Sequence, residues 1–275
     1  MSARPRSQQP PDPESEGTGV TSRNALAAPT EAEDGVMRPR VPIHVMTEVR
    51  PDFTPAELPP LPRGQVERVA KILDELLNDR RTPQAVAAFY DSSEGFAGDT
   101  FLALEPNERN TVTTADLLAV TLLDVAFKPA AVRALLAGGE LAERAERMFA
   151  QIPLQVPLWK SSDKQLAAAG ALWRLLTKSR LGVGPTKAGK LLARKRPDLI
   201  PVVDSVVVSH LGCAEDTYWT TLREIMRKRD RRNRILQLRP GTPLIRILDT
   251  VMWMHWSRSR RATDVMRRLA RDRSP

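Results

Sequence analysis

LGVGPTKAGKLLARKRPDLIPVVDSVVV, residues 181–208, is the stretch on which the fold turns. Gly182 and Gly184 bracket Val183 in a turn where a Cβ would block backbone conformations or close approaches. Pro185 fits the first turn of a helix, where its missing N–H is no loss. The free N–H groups of that turn, with the helix dipole, form an anion site, and Lys187 and Lys190 add positive charge beside it. A phosphate is the natural ligand. Val183 is placed to plug the space between the helices flanking the turn, and Ala188 to keep their contact close. Pro197 and Pro201 bracket an extended link. Asp204 then stands where an N-cap belongs, opening a helix toward Leu211.

Helical patterns run outward from this stretch. Val66, Val69, Ile72, Leu73, Leu76 and Leu77 share one face of a helix over residues 65–78. Thr82, followed by Pro83, reads as an N-cap. Residues 91–112 read as a long connection, and Thr114 as the N-cap of an apolar helix from Ala115 to Phe127. Shorter helices follow over 129–136 and 140–152. Ser162 or Asp163 caps a helix to about Ser179, with Leu166, Ala169, Leu172, Trp173 and Leu176 on its buried side. Residues 217–229, 243–256 and 263–271 are expected to be helical too. Val202-Val203 and Val206 to Val208 are ambiguous, because β-branched runs also suit strands. The expected class is all-α: a helical domain over 61–275, with lobes at 61–150 and 151–275 as a candidate division. Residues 1–62 hold 12 of the 23 prolines and few apolar residues. Such a segment cannot offset its ordering entropy, so 1–60 is read as a disordered tail, with Phe53 and Leu58 as docking candidates near its end.

Stretch 181–208 resembles the helix-hairpin-helix DNA glycosylase superfamily. In that family a G-h-G hairpin precedes a helix, and an aspartate follows an extended link ending in V-D-[ST]. Gly182-Val183-Gly184, Ala188 and Val203-Asp204-Ser205 fit that pattern, with Asp204 lying 22 positions after Gly182. The match covers residues 163–211; the whole chain resembles an actinobacterial family that carries no function. The resemblance implies that Asp204 is the catalytic carboxylate. It would stabilise cationic character on a sugar or help activate the nucleophile, once the target base is flipped from the duplex. It also implies that Gly182, Val183, Gly184, Thr186, Lys187 and Lys190 face DNA phosphates. Backbone-cleaving members carry a lysine two residues after the second hairpin glycine. Thr186 stands there, and Lys187 is rotated by about 100°, so a Schiff-base lyase is not expected.

The chain carries net charge +9. Residues 220–275 hold 16 Arg and Lys against 5 Asp and Glu, so the charge is localised. The densest run, Arg227, Lys228, Arg229, Arg231, Arg232 and Arg234, suits phosphate contacts; a solvated helix end is its plain structural alternative. Trp253, Met254 and Trp256 could stack a base, although at helical spacing such residues more often form core. One cysteine, Cys213, excludes an internal disulfide and a four-cysteine cluster. His210 and His255 lack a second ligand at metal spacing, and the acidic loop with Asp91, Glu94 and Asp99 does not match a calcium loop. No metal or cofactor is expected, nor a signal peptide or membrane span, and the expected location is cytoplasmic, at the nucleoid if DNA is the partner. Three functions stay open: a non-sequence-specific DNA-binding protein with a glycosylase-like core, a monofunctional base-excision glycosylase using Asp204, and a helical protein-interaction module.

Overall fold

A computed structural model describes residues 58–271. Expectations for the Pro-rich tail, including Phe53, lie outside these residues. Leu58 is half-buried against the core. The described residues fall in one compact unit and contain helices and turns but no strand. In order, the helices are α1 (Gln65–Asn78), α2 (Thr82–Tyr90), α3 (Thr100–Ala103), α4 (Thr114–Thr121), α5 (Pro129–Leu136), α6 (Glu140–Phe149), α7 (Asp163–Lys178), α8 (Pro185–Lys195), α9 (Ser205–Leu211), α10 (Glu215–Ile225), α11 (Arg229–Leu238), α12 (Leu244–Trp256) and α13 (Arg260–Arg271).

α12 organises the packing. Leu244, Ile245, Ile247, Leu248, Val251, Met252 and Met254 are all buried, as expected of a helix that is apolar nearly all round. It contacts α1, α2, α9, α11 and α13. α1 buries Val69 and Leu73 and lies along α10, where the Gln65 amide donates to the Thr217 and Thr221 hydroxyls at 3.1 and 2.7 Å. Contacts also cross residue 150, since α6 packs on α7 and α4 on α8.

Capping decides several helix starts. Ser162 accepts from the Gln165 N–H while the Gln165 side chain accepts from the Ser162 N–H, a reciprocal pair that opens α7. The cap of α4 is Thr113 rather than Thr114, because Thr113 makes the same exchange with Asp116. Thr82 lies inside the first turn of α2; its hydroxyl donates to the Leu76 carbonyl and meets His255 Nε2 at 2.8 Å. α4 stops at Thr121, short of Phe127, and Asp124 turns the chain with φ of 58°. The β-branched ambiguity after Pro201 resolves into an extended link and α9.

Two segments were not foreseen. Residues 91–112 contain α3 and a 3-10 turn, Ser92–Glu94, and are anchored from below by the end of α8. Arg194 donates to the Phe101 and Leu104 carbonyls, Lys195 to those of Glu108 and Thr111, and Arg196 to that of Arg109. Both Arg194 and Lys195 also bind Asp116, at 2.7 and 2.8 Å, with all three side chains fully buried. The second segment is α11, built from the arginine run itself. Arg231 is buried and pairs with Asp74 of α1 at 2.6 Å. Arg234 reaches the same carboxylate, and Arg232 lies over the Trp159 ring at 5.1 Å.

Candidate functional site

α7 and α8 pack against one another across the turn 179–184, and the Trp173 indole donates to the Pro185 carbonyl at 3.2 Å. Val183 is 2% exposed, in the plugging position its spacing predicts. The two glycines differ. Gly182 has φ of 82°, a region costly for side-chain-bearing residues, whereas Gly184 has an ordinary extended backbone with open space where a Cβ would be. Its conformation therefore does not require glycine. Lys187 folds back, its ammonium donating to the Gly182 carbonyl at 2.8 Å.

α8 comes close to the extended link at Gly189, beside Ala188. A Cβ there would lie 3.0 Å from Val203 Cβ and 3.1 Å from Val203 N. This contact seats the link and hence the next residue, Asp204. Asp204 caps α9: its Oδ1 accepts from the Val206 N–H at 2.9 Å and from the Val207 N–H at 3.4 Å. Both bonds fall on Oδ1.

Asp204 also lines a cavity of about 360 Å³, within the range of small-molecule sites. One wall holds Phe89, Tyr90 and Phe96, with Trp253 of α12 against them. Phe89 and Phe96 stack at 5.4 Å, and the Trp253 ring stands edge-on to both at 5.8 and 5.9 Å. Trp253 thus serves the cavity, while Met254 is core and Trp256 stacks on His210 at 5.2 Å. Leu122, Leu123 and Asp124 close a second side. Lys190 enters from α8 and is buried, its ammonium donating to the Leu123 carbonyl at 2.6 Å. Burial pulls the Lys190 amine below its usual range, opposed by the carboxylates of Asp204 and Asp124. Arg246 and Asp249 complete the lining from α12. Burial pushes the Asp249 carboxyl up to about 7, against the pull of Arg246 and the Val202 N–H.

The structure therefore brings Asp204 and Lys190 into one cavity, with the hairpin at the N-terminus of the helix that carries Lys190. Arg227, Lys228, Arg229, Arg231, Arg232 and Arg234 do not line it. The first three are exposed, and the others are engaged with α1, the end of α10 and Trp159. Arg261 of the other basic run does reach the cavity wall, over Phe96 at 5.6 Å. Sequence reasoning missed Phe89, Phe96, Asp124, Arg246 and Asp249. The acidic loop is tied to arginines, Asp99 to Arg239 at 2.6 Å and Glu94 to Arg268. Among the described residues no cluster of metal-ligating side chains occurs, and no helix is long and apolar enough to cross a membrane.

No curated protein and no solved structure matches the chain. A family model matches residues 82–256, a span that includes every cavity residue named above except Arg261. The chain belongs to DUF6308, a family of unknown function.

Proposed function

We propose that this protein binds DNA without sequence preference and takes one extruded base into the Asp204 cavity, acting as a monofunctional N-glycosylase. The observation that carries the reading is the position of Asp204. It is a helix cap, yet it stands on the wall of an aromatic-lined cavity, beside a buried lysine and one helix away from the glycine hairpin. A flipped base needs flat apolar faces to replace the stacking it loses, and Phe89, Phe96 and Trp253 supply them. Asp204, negatively charged when ionised, would complement the positive charge that develops on the sugar as the N-glycosidic bond breaks. The bond's electron pair leaves on the base nitrogen, which takes a proton; water adds its oxygen to the sugar carbon and loses a proton. The products are a free base and an abasic sugar in an uncut strand.

DNA affinity would come from the first turn of α8 and the exposed cations, among them Arg227, Lys228, Arg229 and Arg260. It should fall by orders of magnitude over a few-fold rise in salt if six or more phosphates are contacted. The test incubates the full chain with duplexes bearing uracil, alkylated or oxidised bases and then treats them with alkali. Strand breaks only after alkali support the proposal; no excision from any duplex counts against it. A second reading, a DNA-binding module without chemistry, has its own support: both amide bonds to Asp204 are those of an ordinary cap. Salt-sensitive DNA binding with no excision would favour that reading.

A further inference from the structure

Two residues of the cavity lining have buried polar atoms that the protein itself leaves unsatisfied. α12 turns a stripe toward it, Arg246, Asp249, Thr250 and Trp253, at the three, four and seven spacing of one helix face. The Arg246 and Asp249 side chains are 5% and 13% exposed and pair at 2.8 Å through Nη2 and Oδ2. Arg246 Nη2 also donates to the Ile200 carbonyl, and Asp249 Oδ2 accepts from the Val202 N–H at 3.1 Å. Every bond falls on those two atoms. Arg246 Nε and Nη1 and Asp249 Oδ1 are buried without a partner. Unmade bonds at buried polar groups are costly, more so at charged ones, and apolar residues of similar volume would often serve a core as well as a buried ion pair. A pair so placed, with donors and an acceptor left over beside an aromatic wall, suits a ligand that completes it.

We propose that Arg246 and Asp249 determine the specificity of this cavity by reading the edge of a planar heterocycle that presents an acceptor beside an N–H donor. Arg246 meets the acceptor, Asp249 meets the donor, and Phe89, Phe96 and Trp253 take the faces of the ring. This rests on the cavity being a base receptor and adds which atoms choose the base. A ring without such an edge leaves the polar atoms unpaired and is rejected for that reason. Two kinds of nucleobase present the pattern: oxo bases, with a carbonyl beside a ring N–H, and amino bases, with a ring nitrogen beside an NH2.

Isothermal titration of the full chain with hypoxanthine, adenine and indole separates these cases. Hypoxanthine and adenine carry the two edges, whereas indole has similar size and no acceptor. The proposal expects one of the two bases to bind at least about tenfold more tightly than indole, the equivalent of one retained hydrogen bond. Asp249→Asn keeps the shape but replaces the carboxyl group with an amide. It should lower the ratio of the preferred base's affinity to indole's by at least about tenfold while moving indole itself by less than about twofold. Arg246→Lys, which keeps the charge but not the donor geometry, should lower the affinity of the preferred base in the same assay and serves if the first variant does not fold. Equal binding of the bases and indole by the wild-type chain overturns the proposal, as does a folded Asp249→Asn variant with an unchanged ratio. If base-bearing duplexes are excised but selectivity ignores both variants, this inference falls alone. If none of the three rings binds, the reading of the cavity as a base receptor falls with it.

Discussion

Asp116→Ala removes a carboxylate that two buried cations share, and its cost follows from the geometry. Asp116 Oδ1 accepts from Arg194 Nε at 2.7 Å and Oδ2 from Lys195 Nζ at 2.8 Å, and Oδ2 also accepts from the Thr113 N–H at 2.9 Å. All three side chains are fully buried, so solvent cannot take over when the carboxylate goes. Breaking a buried pair from one side costs about 3–5 kcal/mol, and losing the bond from the Thr113 N–H adds about 1 kcal/mol. The carbonyls of Phe101, Leu104, Glu108 and Thr111 still accept from the two cations, which favours the lower end. For a domain of this size each kcal/mol moves the midpoint by roughly 2–4 °C, so thermal denaturation followed by circular dichroism should show a loss of roughly 8–24 °C. Asp116→Asn keeps an acceptor for the cap and should fall between. The double variant Asp116→Asn with Lys195→Met removes a cation as well and should recover part of the loss. The network also holds the Phe101 and Leu104 carbonyls, and Phe101, Leu102 and Ala103 of α3 line the cavity, so the variant should bind heterocycles less well. A loss below about 1 kcal/mol would refute the reasoning, because the carbonyls alone would then suffice.

The two hairpin glycines should respond with opposite signs. Gly182→Ala forces a side chain into a left-handed conformation and should destabilise by about 1–2 kcal/mol, whereas Gly184→Ala, with open space and an ordinary backbone, should stabilise by about 0.4–1 kcal/mol; urea melts of both measure it. Asp249, with its carboxyl raised from 3.8 to about 7 in the fold, contributes stability that is fully present below pH 3.8 and is lost as pH rises through about 7. Wild-type stability should therefore decline across that window relative to Asp249→Asn, by up to about 4 kcal/mol; parallel pH profiles would refute the assignment. Arg231→Ala leaves Asp74 without its closest partner and opens a buried space. It should cost about 2–4 kcal/mol of stability, while Arg260→Ala, at a 95% exposed side chain, should leave stability within about 0.5 kcal/mol and only weaken DNA binding slightly.

The elements legible in the sequence are those written by local chemistry. The Ser162 and Asp204 caps, the Pro185 helix start and the buried Val183 each follow from residues within a few positions of one another. What the sequence hid depends on partners far along the chain. Arg246 and Asp249 read as an ordinary helical pair, and only folding sets them beside Asp204 and leaves three of their atoms unpartnered. Lys190 reads as a surface phosphate ligand, yet it is buried because α4 ends early and the Leu123 carbonyl receives its ammonium. Arg231 reads as one cation of a solvated run, but Asp74, more than 150 residues away, draws it inward. Gly189 carried no local signal, since only the placement of Val203 shows that the link passes close to it.

The most direct test of the central claim compares wild type and Asp204→Asn on the same base-bearing duplex, measuring both affinity and single-turnover excision. The amide can still accept from the Val206 N–H, so folding should change by at most about 1 kcal/mol, and DNA affinity should be unchanged or better. It supplies no negative charge to a developing sugar cation, so excision should fall by several orders of magnitude. Excision at the wild-type rate by the folded variant would contradict the account and leave Asp204 as a helix cap.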